Sequence, residues 1–164
     1  MAKINNNITV YQAVDIQKKI LTIRGEQVML DSDLANFYGV ETKYLNQAVK
    51  RNADRFPKEF MFQLTEEDWK SLRFQFGTSN NDDSLRSQFV TSKNKRGGRR
   101  YLPFAFTEQG VAMLSAVLRS ETAVRMSVQI MNAFVAMRRF LVENAGVFQR
   151  LDKLVTVNTY KFCF

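Results

Sequence analysis

The spacing of apolar and polar positions divides the chain into a series of short elements. ILTIRGEQVML (Ile20–Leu30) alternates apolar and polar residues around Gly25-Glu26, which predicts a β-hairpin with Gly25 as the first central residue of a two-residue turn. DSDLANFYGVETKYLNQAVKR changes to helical spacing and reads as two short helices broken at Gly39. Pro57 ends the second, because proline cannot continue a helix and disfavours helical geometry in the residue before it. Phe60, Phe62 and Leu64 alternate with Met61 and Gln63 as in a strand. Thr65 before Glu66, Glu67 and Asp68 marks a helix start, with a hydroxyl cap and Asp68 in the capping-box position. That helix carries Trp69, Leu72 and Phe76 and ends near Gly77.

Residues 78–98 are polar and predict a long loop. RYLPFAF then alternates again, a strand suited to pair with residues 59–64, with the Pro103 nitrogen turned away from any partner strand. Thr107 caps a helix whose Val111, Leu114, Val117 and Leu118 share one face. Ser120 caps another that runs to about Glu143 and bears two apolar stripes. One is Val124, Val128, Met131 and Val135, and the other is Met126, Ile130, Phe134, Met137 and Leu141. Such a helix needs cover on two sides, from its own domain or from a second copy. Phe148, Leu151, Leu154 and Val155 begin a further amphipathic helix. The expected fold is α+β and helix-rich: a winged-helix-like helix-turn-helix core, small antiparallel β-hairpins and two C-terminal helices. Residues 1–19 are expected to be an N-terminal extension, 20–142 the domain, and 143–164 a helical linker or truncated C-terminal extension.

Composition narrows the chemistry. A chain of 164 residues, 45% hydrophobic and 12% aromatic, can build a real core and is far from a disordered profile. Lys and Arg exceed Asp and Glu by 24 to 16, a net charge of +8 that favours a polyanionic partner, nucleic acid before a membrane surface. The single cysteine, Cys163, forms no intrachain disulfide, and nothing resembles a secretory signal. No apolar run approaches the roughly 20 residues needed to span a bilayer. A cytoplasmic protein without membrane attachment is expected. Histidine is absent, which removes imidazole from every catalytic and metal-binding scheme. No metal, no cofactor and no enzymatic activity are expected.

The helix pair carries the clearest candidate chemistry. Ala35 is small enough to let a second helix approach, Gly39 supplies a positive φ for a tight turn, and Leu45 fills the space between the helices. Thr42, Lys43, Asn46, Gln47 and Lys50 fall opposite that packed face, with Arg51 at its edge. Asn and Gln suit adenine edges, Lys suits guanine or phosphate, and Thr suits phosphate or a thymine methyl. The plain alternative is an αα-hairpin with an ordinary solvated face. Downstream, Lys93, Lys95, Arg96, Arg99 and Arg100 lie in KNKRGGRRYLPF, between two expected strands, where a wing would grip phosphate. Glu66, Glu67 and Asp68 are better explained as helix N-terminal acids than as nuclease metal ligands, and Asp82-Asp83 have no further ligand at useful spacing. Gly97-Gly98 precedes a strand and lacks the Gly-Lys-Ser/Thr ending of a phosphate-cradling loop.

The run IRGEQVMLDSDLANFYGVETKYLNQAVKRNADRFPKEFMFQLT, followed by GGRRYLPFAFTEQGVAMLSAVLRSETAV, resembles the KilA-N-related N-terminal domain named after a phage open reading frame six. The second part is also similar to the Bro-N antirepressor domain, in which a comparable segment opens a helix ending in Leu-Arg-Ser. The resemblance spans about residues 20–142. It implies a DNA-binding protein of phage or mobile-element origin, acting as antirepressor or transcription regulator on double-stranded DNA. It does not transfer individual DNA contacts. The alternative is a protein-interaction antirepressor that binds a repressor or host protein through helix 120–142. The same helix admits a homodimer, for which a palindromic site would follow.

Overall fold

The computed structural model describes residues 12–77, 101–147, 149–151 and 153. The fold contains a four-stranded antiparallel sheet in the order β1-β2-β4-β3. Its strands are β1 (Leu21–Ile23), β2 (Glu26–Leu30), β3 (Met61–Gln63) and β4 (Phe104–Phe106). Helix α1 (Ala13–Gln17) precedes the sheet, and α2 (Asp31–Tyr38) and α3 (Thr42–Arg51) follow β2 directly. Helix α4 (Glu66–Gly77) follows β3, and α5 (Glu108–Leu118) and α6 (Glu121–Glu143) follow β4. This is the α+β, helix-rich architecture expected from the sequence. No helix among the described residues is long and apolar enough to cross a membrane.

Strand alternation sends side chains to two cores. Val28 and Leu30 of β2 and Ala105 of β4 join Ile23, Leu64 and Leu72 under α4. Met29 and Phe106 face the other way, into the larger cluster with Leu34, Leu45, Leu114, Ile130 and Phe134. The period of two therefore buries both faces of β2 and β4. β4 pairs with β3 through Phe62↔Ala105 and with β2 through Leu30↔Ala105, so the expected pairing of residues 59–64 with RYLPFAF is present. Pro103 precedes β4, and its carbonyl accepts from the Leu64 amide at 3.0 Å.

The hairpin differs by one position from its expected turn. Ile23 pairs with Glu26, so the central residues are Arg24 and Gly25, not Gly25 and Glu26. Both have positive φ, 54° and 80°, the geometry of a type I′ turn, whose twist matches that of the strands. Arg24 holds this left-handed conformation, unusual for a residue with a Cβ, while its guanidinium makes two hydrogen bonds to Asp68 and lies over the Phe62 ring.

Three helix caps follow the expected residues. Thr65 Oγ1 accepts from the Asp68 amide, and the Asp68 carboxylate accepts from the Thr65 amide, a capping box. Thr107 Oγ1 accepts from the Gly110 amide, and Ser120 Oγ accepts from the Ala123 amide. Between α5 and α6, Arg119 takes a left-handed turn at φ 50°, so Leu118-Arg119-Ser120 is the corner joining the two helices.

Residues assigned to an N-terminal extension contribute to the core: Ile16 of α1 is buried with α2 and α6, and Lys19 pairs with buried Asp33 at 3.4 Å. Among the described residues, helix α6 is covered on one side only. Met126, Ile130 and Phe134 are buried, whereas Val124 and Val128 are 51% and 50% exposed. Of the two sides on which this helix is expected to need cover, the described residues of the domain cover one.

Candidate nucleic-acid interface

Helices α2 and α3 are joined by Gly39, Val40 and Glu41. Gly39 has φ 67° and ψ 32°, and the Val40 amide reaches back to the Ala35 carbonyl while the Gly39 amide bonds Asn36, a Schellman ending. Ala35 and Leu45 are fully buried where the helices meet, as their spacing predicts. Burying Leu45 and Val49 fixes the rotation of α3 and turns Lys43, Gln47, Lys50 and Arg51 outward, all exposed. Thr42, the first residue of α3, is half-buried. Tyr44, absent from the expected set, is 56% exposed on the same helix.

Asn46 occupies a different position from its neighbours. Its Nδ2 donates to Asp31 Oδ2 at 2.9 Å, and its Oδ1 is enclosed without a hydrogen-bond partner among the described residues. Asp31 is itself buried and also accepts from the Ser32 amide. The Asn46 side chain thus braces α3 against the start of α2, and its amide is not open for bidentate contact with a base.

The charges of this region are unevenly compensated. The two acids of the first turn of α2 are spent internally, Asp31 on Asn46 and Asp33 on Lys19. Among the described residues, no acid forms a salt bridge with Lys43, Lys50 or Arg51, and Arg55 and Lys58, just beyond α3, are likewise exposed and without one. The described part of this surface carries the exposed cations Lys43, Lys50, Arg51, Arg55 and Lys58 against the exposed acids Glu41, Asp54 and Glu59, with amide and phenol groups among them.

Beside α3 runs a groove of about 830 Å³. Lys43, Gln47 and Lys50 stand along its α3 wall, and Gln63, Tyr101 and Phe104 contribute from the strand side. Buried lining residues, among them Val49, Phe56 and Pro103, give it an apolar floor. Tyr101 is 76% exposed. Gln63 donates from Nε2 to the Leu102 carbonyl at 3.1 Å, which fixes the segment leading into β4. Gln63 carries a local signal as the outward polar position of its strand. Tyr101 is the outward residue of RYLPFAF, but its approach to α3 is a tertiary fact with no local signal. The proposed wing residues Lys93, Lys95, Arg96, Arg99 and Arg100 lie outside the described residues.

The model of the ORF6N domain family matches residues 18–117. This range takes in the hairpin, the α2–α3 pair, the whole sheet and nearly all of α5, and stops before α6. No curated protein and no solved structure matches the chain. With more than half of its length matched, and with the helix pair and sheet inside the match, the chain belongs to the ORF6N domain family.

Proposed function

We propose that this protein is a sequence-specific, non-enzymatic DNA-binding protein of phage or mobile-element type, acting in the cytoplasm as antirepressor or transcription regulator. One observation carries the reading. Helix α3, the second of a helix pair closed by a left-handed glycine, presents Lys43, Gln47, Lys50 and Arg51 to solvent with no acid paired to the cations among the described residues. A helix so presented enters the major groove, where Gln47 reaches base edges and the cations reach guanine or phosphate. Thr42 serves phosphate at the start of the helix. Lys93, Lys95, Arg96, Arg99 and Arg100 add sequence-independent grip. The kinship with KilA-N and a Bro-N-like second half belong to the same reading.

The test is fluorescence anisotropy with duplexes selected from a random pool, titrated at several salt concentrations. Affinity should fall steeply with salt, and each phosphate-contacting cation replaced by alanine should lower the slope by about 1. Absence of duplex binding at low salt would sink the reading.

A second reading concerns α6. The open stripe at Val124 and Val128 supports a protein partner there, either a second copy or a repressor or host protein. Light scattering on the full chain separates these: a dimer that Val124→Glu converts to monomer favours the second copy.

A further inference from the structure

We propose that the groove beside α3 receives an unstacked nucleobase, so that this protein holds a single DNA strand at a site adjoining its duplex-reading helix. The inference rests on the DNA-binding reading above but concerns a different ligand form. A volume of about 830 Å³ is that of a small-molecule site and exceeds what flat contact with a base-pair edge requires. Phe56, Pro103 and Phe104 make part of its lining apolar, matching the face of a base rather than its hydrogen-bonding edge. A base paired and stacked within a duplex cannot offer that face; an unpaired one can.

The polar groups fit the remaining needs of a nucleotide. Gln47 and Gln63 line the groove from α3 and from β3, and each carboxamide carries both donors and an acceptor. Gln63 uses Nε2 on Leu102, and its Oε1 accepts no hydrogen bond among the described residues. Tyr101 is a lining residue that keeps 76% of its surface exposed, the situation of a stacking platform. Lys43 and Lys50, exposed and without a salt-bridge partner among the described residues, supply positive charge for the phosphates on either side of a held base. An acidic, amphipathic protein segment would use the lysines and the apolar lining but would have no need of two carboxamides and an exposed ring.

Anisotropy of fluorescein-labelled oligothymidylate, beside a labelled duplex, tests the assignment on the full chain. The wild-type protein should bind the single strand. Tyr101→Ala should weaken that binding about tenfold, and Tyr101→Phe should retain it, because stacking needs the ring and not the hydroxyl. Duplex affinity should be the same in all three. No binding of oligothymidylate, or full affinity in Tyr101→Ala, overturns the proposal and leaves the groove to a protein segment. If either result comes with normal duplex binding, the DNA-reading helix stands and only the groove assignment falls. Single-strand binding that depends on Tyr101, without duplex binding, supports the groove and removes the reading of α3.

Discussion

The hydroxyl of Tyr38, at the end of α2, lies 2.8 Å from Oγ of Ser127 in the N-terminal third of α6, and both residues are buried. It is a polar tie between the α2–α3 helix pair and the long helix that follows the family-matched region. Burial pushes the Tyr38 phenol up to about 12, so it stays protonated and hydrogen-bonded throughout the ordinary pH range. Tyr38→Phe leaves Ser127 Oγ without this partner and should cost about 1–3 kcal/mol, read as a lower urea midpoint with an unchanged slope. Ser127→Ala should cost a similar amount. The double variant should cost less than the sum, because it removes both partners together.

Gly110 is set by contact, not by backbone conformation. A Cβ built there would lie 2.2 Å from the carbonyl oxygen of Phe60. That oxygen is held in place, since it accepts from the Thr107 amide at 3.0 Å and from Thr107 Oγ1 at 3.2 Å. Gly110→Ala must push the start of α5 away from β3 and should destabilise the protein by about 3 kcal/mol. Thermal unfolding followed by circular dichroism would register this as a clear fall in Tm, and an unchanged Tm would show that the contact relaxes freely.

Asp68 gives the fold an acid-sensitive joint between the hairpin tip and α4. The Arg24 guanidinium, bonded to both of its carboxylate oxygens, lowers the Asp68 carboxyl to about 2 from 3.8, and the Thr65 amide and hydroxyl act in the same direction. Because the folded value lies below the unfolded one, this pairing contributes stability above a pH of about 3.8 and loses it as pH falls towards about 2. Urea midpoints should therefore drop across that window. Asp68→Asn keeps a capping oxygen but abolishes the charge, so it should flatten that part of the profile; an unaltered profile would assign the acid sensitivity to other carboxylates.

Signals local in sequence led to local structure. Thr65, Thr107 and Ser120 cap the helices that follow them, because a side-chain oxygen and an amide three residues away need no tertiary context to meet. Gly39 and the Ala35–Leu45 spacing were legible for the same reason. The sequence points to a turn one residue later than Arg24-Gly25 because glycine is the usual first sign of positive φ. The partners that hold Arg24, Phe62 and Asp68, lie far along the chain. At the candidate interface, the outward positions of Lys43, Gln47 and Lys50 followed from helical periodicity. The groove did not, because it forms only when residues 101–104, distant in sequence, come beside α3. Helix α1 lies in the residues expected to be an N-terminal extension, and its five residues carry too little periodicity to mark a helix in the sequence.

The same distinction separates Asn46 from Gln47, adjacent residues that the sequence alone treats as equivalent readers of DNA. Asn46 is bound to Asp31 at 2.9 Å and half-buried, whereas Gln47 is exposed. Asn46→Ala strands a buried carboxylate and should cost about 2 kcal/mol of stability, with DNA affinity reduced for all sequences alike as α3 loosens. Gln47→Ala should leave stability within about 0.5 kcal/mol of wild type and instead narrow the gap in affinity between a selected duplex and a scrambled one. Thermal melts and paired anisotropy titrations on the two variants check both halves. If Asn46→Ala relaxed sequence preference at unchanged Tm, the Asp31 contact would be a resting arrangement that opens on DNA, and Asn46 would rejoin Gln47 as a reader of bases.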